Sequence, residues 1–188
     1  MRWERLFDDL EAQLAADEAR DLVAEVADRT RRERALLGVH ERLLSVLDAG
    51  PVAVRVAGVG TLEGSVTGVG PDWVLLAEGH PQGADHSVLV AYPAIRSLTG
   101  LTGRLQKQRP AAVARGFALG AALRALSRDR AVVALHDVEG VVVTGTLDAV
   151  GQDLVDIAEH PADLPRRPEN VVGIRTVPFW SIAALRHR

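Results

Sequence analysis

Seven basic side chains crowd the stretch between residues 103 and 130: Arg104, Lys107, Arg109, Arg115, Arg124, Arg128 and Arg130. Only Asp129 opposes them, so this segment carries +6 in a chain whose net charge is −3. Guanidinium forks match phosphate oxygens in geometry and charge, and binding of that kind weakens steeply with salt. Trp73 and Trp180 lie near turns, where an exposed indole can stack on a base or anchor a partner. The nucleic-acid reading therefore assigns Arg109, Arg115, Arg124 and Arg128 to phosphates, and Trp73 and Trp180 to bases. The competing reading makes the basic stretch a solvated linker and helix face paired with acidic N-terminal helices. It makes the two tryptophans covers for the ends of a folded unit.

Other chemistries find less support. The six histidines, His40, His80, His86, His136, His160 and His187, include no His-x-x-x-His pair of a helical metal site. His80 and His86 share one loop and His160 occupies the corresponding later loop, and all three read as loop histidines rather than ligands. No cysteine is present, which removes thiolate ligands, Cys nucleophiles and disulfides. Gly58-Val59-Gly60 is followed by Glu63 and a strand pattern, so it is no dinucleotide fingerprint. There is no Gly-x-Ser-x-Gly, and the acids form no catalytic pair. The expectation is a protein that is not an enzyme and uses no metal or cofactor.

The elements that must carry these residues are written in the hydrophobic pattern. Trp3, Leu6, Phe7, Leu10 and Leu14 follow helical spacing; Leu22, Val23, Val26 and then Leu36 to Leu47 extend it to Gly50-Pro51. The charged interval from Asp28 to Arg34 predicts a solvated helix or an exposed, coiled-coil-like arm. From Val52 the period becomes two, and five short strands follow: 52–56, 61–69, 72–77, 87–92 and 94–98. Arg109-Pro110 opens a predicted helix to about Arg128, with Gly116 and Gly120 allowing close packing. Five more strands are predicted at 131–135, 141–150, 153–158, 171–177 and 179–185.

The second set repeats the first. Gly64-Ser65-Val66-Thr67-Gly68-Val69-Gly70-Pro71-Asp72-Trp73-Val74-Leu75-Leu76 returns 81 positions later as Gly145-Thr146-Leu147-Asp148-Ala149-Val150-Gly151-Gln152-Asp153-Leu154-Val155-Asp156-Ile157. Ala94 to Leu98 returns as Ser181 to Leu185. A β-unit has been built twice, with Gly64 and Gly145 at the bend of the curved second strand.

Each copy resembles the Sm-like small barrel, nearest to the bacterial RNA-chaperone family Hfq. The likeness rests on Gly64 through Leu76 and on Val90-Ala91-Tyr92-Pro93-Ala94-Ile95-Arg96-Ser97-Leu98, with Gly145 to Ile157 and Val177 to Leu185 in the second copy. The family's Lys-His nucleobase pair is replaced by Tyr92-Pro93 and by Phe179-Trp180. The chain is also similar to the PRC-barrel family, through Pro178-Phe179-Trp180-Ser181-Ile182. Either resemblance implies SH3-like barrels.

The resulting expectation is an α+β protein with four parts. Residues 1–50 form an N-terminal helical arm, 51–102 a first five-stranded barrel, 103–130 a basic linker helix and 131–188 a second barrel. The expected function is non-catalytic RNA binding and regulation. The alternative is a protein-interaction or assembly module that uses the N-terminal helix as its contact, with homo-oligomers as one form. The stretch from Ala111 to Leu126 is interrupted by Arg115 and Arg124, and the first residues lack an apolar signal-peptide core. The expectation is thus a cytoplasmic protein with no membrane partner.

Overall fold

The computed structural model describes residue 13 and residues 20–32, 35–79, 86–101 and 117–187. The chain divides into two compact units, residues 1–38 and 39–188. In the first unit, residues 20–32 form a helix (α1) whose side chains are all exposed. Asp28 pairs with Arg31 and Arg32 across one helical turn.

The second unit opens with the short helix α2 (Val39–Ser45) and then forms a sheet. Its strands are β1 (Pro51–Val56), β2 (Gly60–Val69), β3 (Trp73–Glu78), β4 (His86–Ala91) and β5 (Ile95–Thr99). Helix α3 (Leu119–Arg128) precedes β6 (Val132–Asp137), β7 (Val142–Val150), β8 (Leu154–Glu159), β9 (Gly173–Pro178) and β10 (Ile182–His187). All ten predicted strands form, within two or three residues of their expected limits.

Their arrangement corrects the expected architecture. The strands do not make two five-stranded barrels joined by a helix. They form one antiparallel ten-stranded open sheet in the order β5-β1-β2-β3-β4-β10-β6-β7-β8-β9. The joint is the pairing of β4 with β10, where Val90, Leu89 and Val88 face Ala184, Leu185 and Arg186. Apolar runs on both strands make this pairing favourable. Val88, Val90, Ala183 and Ala184 are fully buried, and Arg186 holds Glu78 across the joint at 2.9 Å. Two hydrophobic clusters meet there. One holds α2 (Leu43) with Val54, Val66 and Leu76. The other holds α3 (Leu123) with Val133, Leu147 and Ile157.

The duplication is exact at the level of hydrogen-bond register. Val66 faces Leu76, and a bulge at Thr67 then brings Gly68 opposite Leu75. Leu147 faces Ile157, and a bulge at Asp148 brings Ala149 opposite Asp156. Val52 opposes Gly64 as Val133 opposes Gly145. The repeat is also longer than the sequence pattern suggested, because it includes the helices. Each helix precedes the first strand of its half and buries a leucine completely, Leu43 in α2 and Leu123 in α3. Each is followed by a non-glycine residue in the left-handed region, Asp48 and Arg130. Residues 39–48 therefore belong to the sheet unit rather than to the arm, since Leu43 and Val46 are core residues.

Helix α3 begins at Leu119, after an extended Ala118, rather than at Pro110. The expected helical stretch 110–116 lies outside the described residues. A carboxylate fixes the start of α3: Asp72, in the β2–β3 turn, accepts the Leu119 N–H at 2.8 Å.

The two free edges of the sheet differ from the joined ones. Counting from the two 3-10 turns (Tyr92–Ala94 and Phe179–Ser181), β5 carries Arg96 and Ser97 where β10 carries Ala183 and Ala184. Edge strand β9 carries Arg175 and Thr176 where β4 carries Val88 and Leu89. Charged and hydroxylic side chains on an exposed edge oppose further strand addition, so the sheet stops at ten strands.

Candidate functional site

The residues assigned to nucleic acid from the sequence are dispersed in kind. Arg109 and Arg115 lie outside the described residues. Trp73 is buried, and its indole N–H donates to the Phe117 carbonyl at 2.8 Å. Its ring packs in the cluster beneath α3. Trp180, in the turn before β10, is 73% exposed.

Arg124 and Arg128 stand on exposed positions of α3. Arg124 donates to the Gly151 carbonyl at 3.1 Å. This contact has a counterpart in the first half. There His40 Nδ1 of α2 lies 3.0 Å from the Gly70 carbonyl and 3.2 Å from the Tyr92 hydroxyl, and Gly70 is the repeat partner of Gly151. In both halves the helix is tied to the carbonyl of the glycine ending the curved strand. Arg124 thus has a structural task that its place in a basic stretch did not reveal. Arg128 donates from Nε to the Arg124 carbonyl at 3.3 Å and makes no ion pair among the described residues.

The Gly70 carbonyl also accepts the Tyr92 hydroxyl at 2.9 Å. Burial of the Tyr92 phenol, with Asp72 and Glu41 adding negative charge nearby, raises its pKa well above the usual value for tyrosine. A neutral phenol that donates to a carbonyl is the form this site favours.

His160 is the other buried polar group of note. It is 3% exposed, so it is not the solvated loop histidine expected. Its Nδ1 lies 2.8 Å from the Pro161 carbonyl, which can only accept, so Nδ1 carries the proton. Its Nε2 then accepts the hydroxyl of buried Thr146 at 2.8 Å. His80 lies outside the described residues. Among the described residues no three His, Asp or Glu side chains converge as a metal site.

A concavity lies between α3 and the sheet and was not anticipated from the sequence. It encloses about 540 Å³. Trp73, Leu75, Leu89 and Leu185 form its floor across the β4·β10 joint. Ala121, Ala122 and Ala125 form the α3 wall. The alanines leave the space: α3 buries Leu119 and Leu123 and packs Leu126 partly against the same cluster, while the small side chains of Ala121, Ala122 and Ala125 fill little of the gap. The sequence signal was present in Leu119-Gly120-Ala121-Ala122-Leu123, where small residues alternate with anchors.

Comparison with known proteins adds no assignment: no family model, characterised protein or solved structure matches this chain. No helix among the described residues is long and apolar enough to cross a membrane.

Proposed function

We propose that the chain is a non-catalytic assembly protein, in which the ten-stranded sheet is a scaffold and α1 is the contact. The observation that carries this reading is the apolar stripe of α1. Leu22, Val23 and Val26 are 62%, 68% and 57% exposed. Three aliphatic side chains at i, i+1 and i+4 on a solvated helix gain free energy from a second helix laid against them. The charge order of α1 favours another copy as that partner. After Arg20, the acids Asp21, Glu25 and Asp28 precede Arg29, Arg31 and Arg32, so an antiparallel pair sets a mainly acidic stretch against a basic one.

The test is a truncation that begins at Val39, since Leu43 and Val46 must be kept for the core. Light scattering should give a smaller multiple of the chain mass for the truncated protein than for the full chain. An unchanged multiple, with the sheet still folded, would overturn the reading.

A second reading, nucleic-acid binding, is favoured by one observation, the 73% exposure of Trp180. It would join that indole to Arg128 and the remaining basic residues. RNA retained on filters at low salt, lost at high salt and weakened by Trp180→Ala supports it. No retention at low salt ends it.

A further inference from the structure

The cavity beneath α3 has two unlike ends. At one end lie the aromatic residues Trp73 and Phe117, tied by the hydrogen bond from the Trp73 indole N–H to the Phe117 carbonyl. At the other end Ser87, His187, Arg128 and Asp129 form a polar rim. Chain geometry places these four together. Val133 faces His187 across β6 and β10, β4 runs beside β10 near Ser87, and α3 delivers Arg128 and Asp129 just before β6. Trp73 opposes Ala91 and Ala77 opposes Ser87, so the cavity runs along about four strand residues, roughly 13 Å. An apolar slot with a cation at one mouth is complementary to a single-tailed amphiphile with an anionic head.

The structure assigns this slot, we propose, to a long-chain carboxylate: its tail lies on Leu75, Leu89 and Leu185, and its carboxylate meets Arg128 at the rim. Arg128 is suited to this because, among the described residues, only its Nε is engaged, on a carbonyl, which leaves the outer nitrogens of its fork for a carboxylate. Asp129 shares the rim and opposes the same head group. The ligand's affinity is therefore a difference between Arg128 attraction and Asp129 repulsion. The site stands independently of the assembly reading, because every residue in it belongs to the sheet unit.

The experiment uses the full chain with dodecanoate, kept below its micellar range, and dodecyl alcohol as the uncharged probe, both followed by calorimetry. The expected result is saturable binding of one dodecanoate per chain. Arg128→Gln should weaken dodecanoate about tenfold or more and leave the alcohol unchanged, while Asp129→Asn should tighten dodecanoate. Ala122→Phe should abolish both by filling the slot. Should that variant fail to fold, Ala125→Leu narrows the same wall from its exposed side. Absence of saturable dodecanoate binding overturns the proposal. So does binding that a folded Ala122→Phe or Ala125→Leu leaves intact, or dodecanoate affinity indifferent to Arg128→Gln.

Discussion

Replacing Gly145 by alanine adds one methyl group where the structure has no room for it. A Cβ built there collides with the Ala158 carbonyl oxygen, and lies 2.9 Å from the Ala158 carbonyl carbon and 3.1 Å from the Glu159 Cα. All three atoms belong to the backbone of β8, which is bonded on its other side to β9. A flexible side chain could swing away, but a central strand moves only by breaking its ladder. Overpacking of this kind costs about 1–3 kcal/mol, and contact with a fixed carbonyl puts Gly145→Ala near the upper end, about 3 kcal/mol. Gly64→Ala should cost nearly as much, because its Cβ collides with the carbonyl oxygen of Ala77, the repeat partner of Ala158. Gly173→Ala is the control: nothing lies within 4 Å of its added Cβ. Urea unfolding of the three variants measures the differences directly. Gly64→Ala and Gly145→Ala as stable as Gly173→Ala would refute the claim that these glycines exist to let neighbouring backbones approach.

Three further outcomes follow from the same geometry. Ala184→Arg puts a charge at a fully buried position of the β4·β10 joint and should cost about 3–5 kcal/mol, while Ser97→Ala on the free edge should stay within about 0.5 kcal/mol; equal effects in thermal melts would contradict the division into joined and free edges. Thr146→Val keeps the side-chain shape but leaves His160 Nε2 without a donor, at about 1–3 kcal/mol by denaturant titration, and no loss would dismiss that pair as a support. Tyr92 is the one tyrosine in the chain, so ultraviolet titration reads it alone. Its pKa is raised on folding, so its contribution to stability is complete below the unfolded value of about 10 and falls as pH rises beyond it. Tyr92→Phe should remove that part of the alkaline loss, and phenolate appearing at an ordinary pKa in the folded protein would contradict the buried environment.

The local pattern was readily legible and the long-range pairing was not. Alternation at Val52, Val54 and Val56, turns at Gly58 and Gly70, and the 81-residue repeat located every strand, because each depends on neighbours in sequence. The partner of β4 depends on residues almost a hundred positions away. Yet a signal for it existed. Val88-Leu89-Val90 and Ala183-Ala184-Leu185 are continuously apolar, as strands buried on both faces are, while Arg96-Ser97 and Arg175-Thr176 mark edges. Reading each half as a closed barrel treated these unlike strands as equivalent. The candidate site suffered from a similar averaging. The basic stretch counted Arg124 as a free cation, whereas its position in the repeat gives it the tether that His40 makes in the first half. Trp73 looked like a turn residue, but its pairing with Ala91 and its bond to Phe117 hold it inside. The slot beneath α3 arises from alanines, and what alanines leave open depends on what lies opposite them.

Continuity of the sheet through β4 and β10 is the claim on which the scaffold, the slot and the edge argument all rest. Cross-strand nuclear Overhauser contacts test it most directly. The account predicts contacts between Leu89 and Leu185 and between Val90 and Ala184, with slow amide exchange along both strands. Absence of those contacts, with β4 and β10 exchanging as fast as β5 and β9, would contradict it.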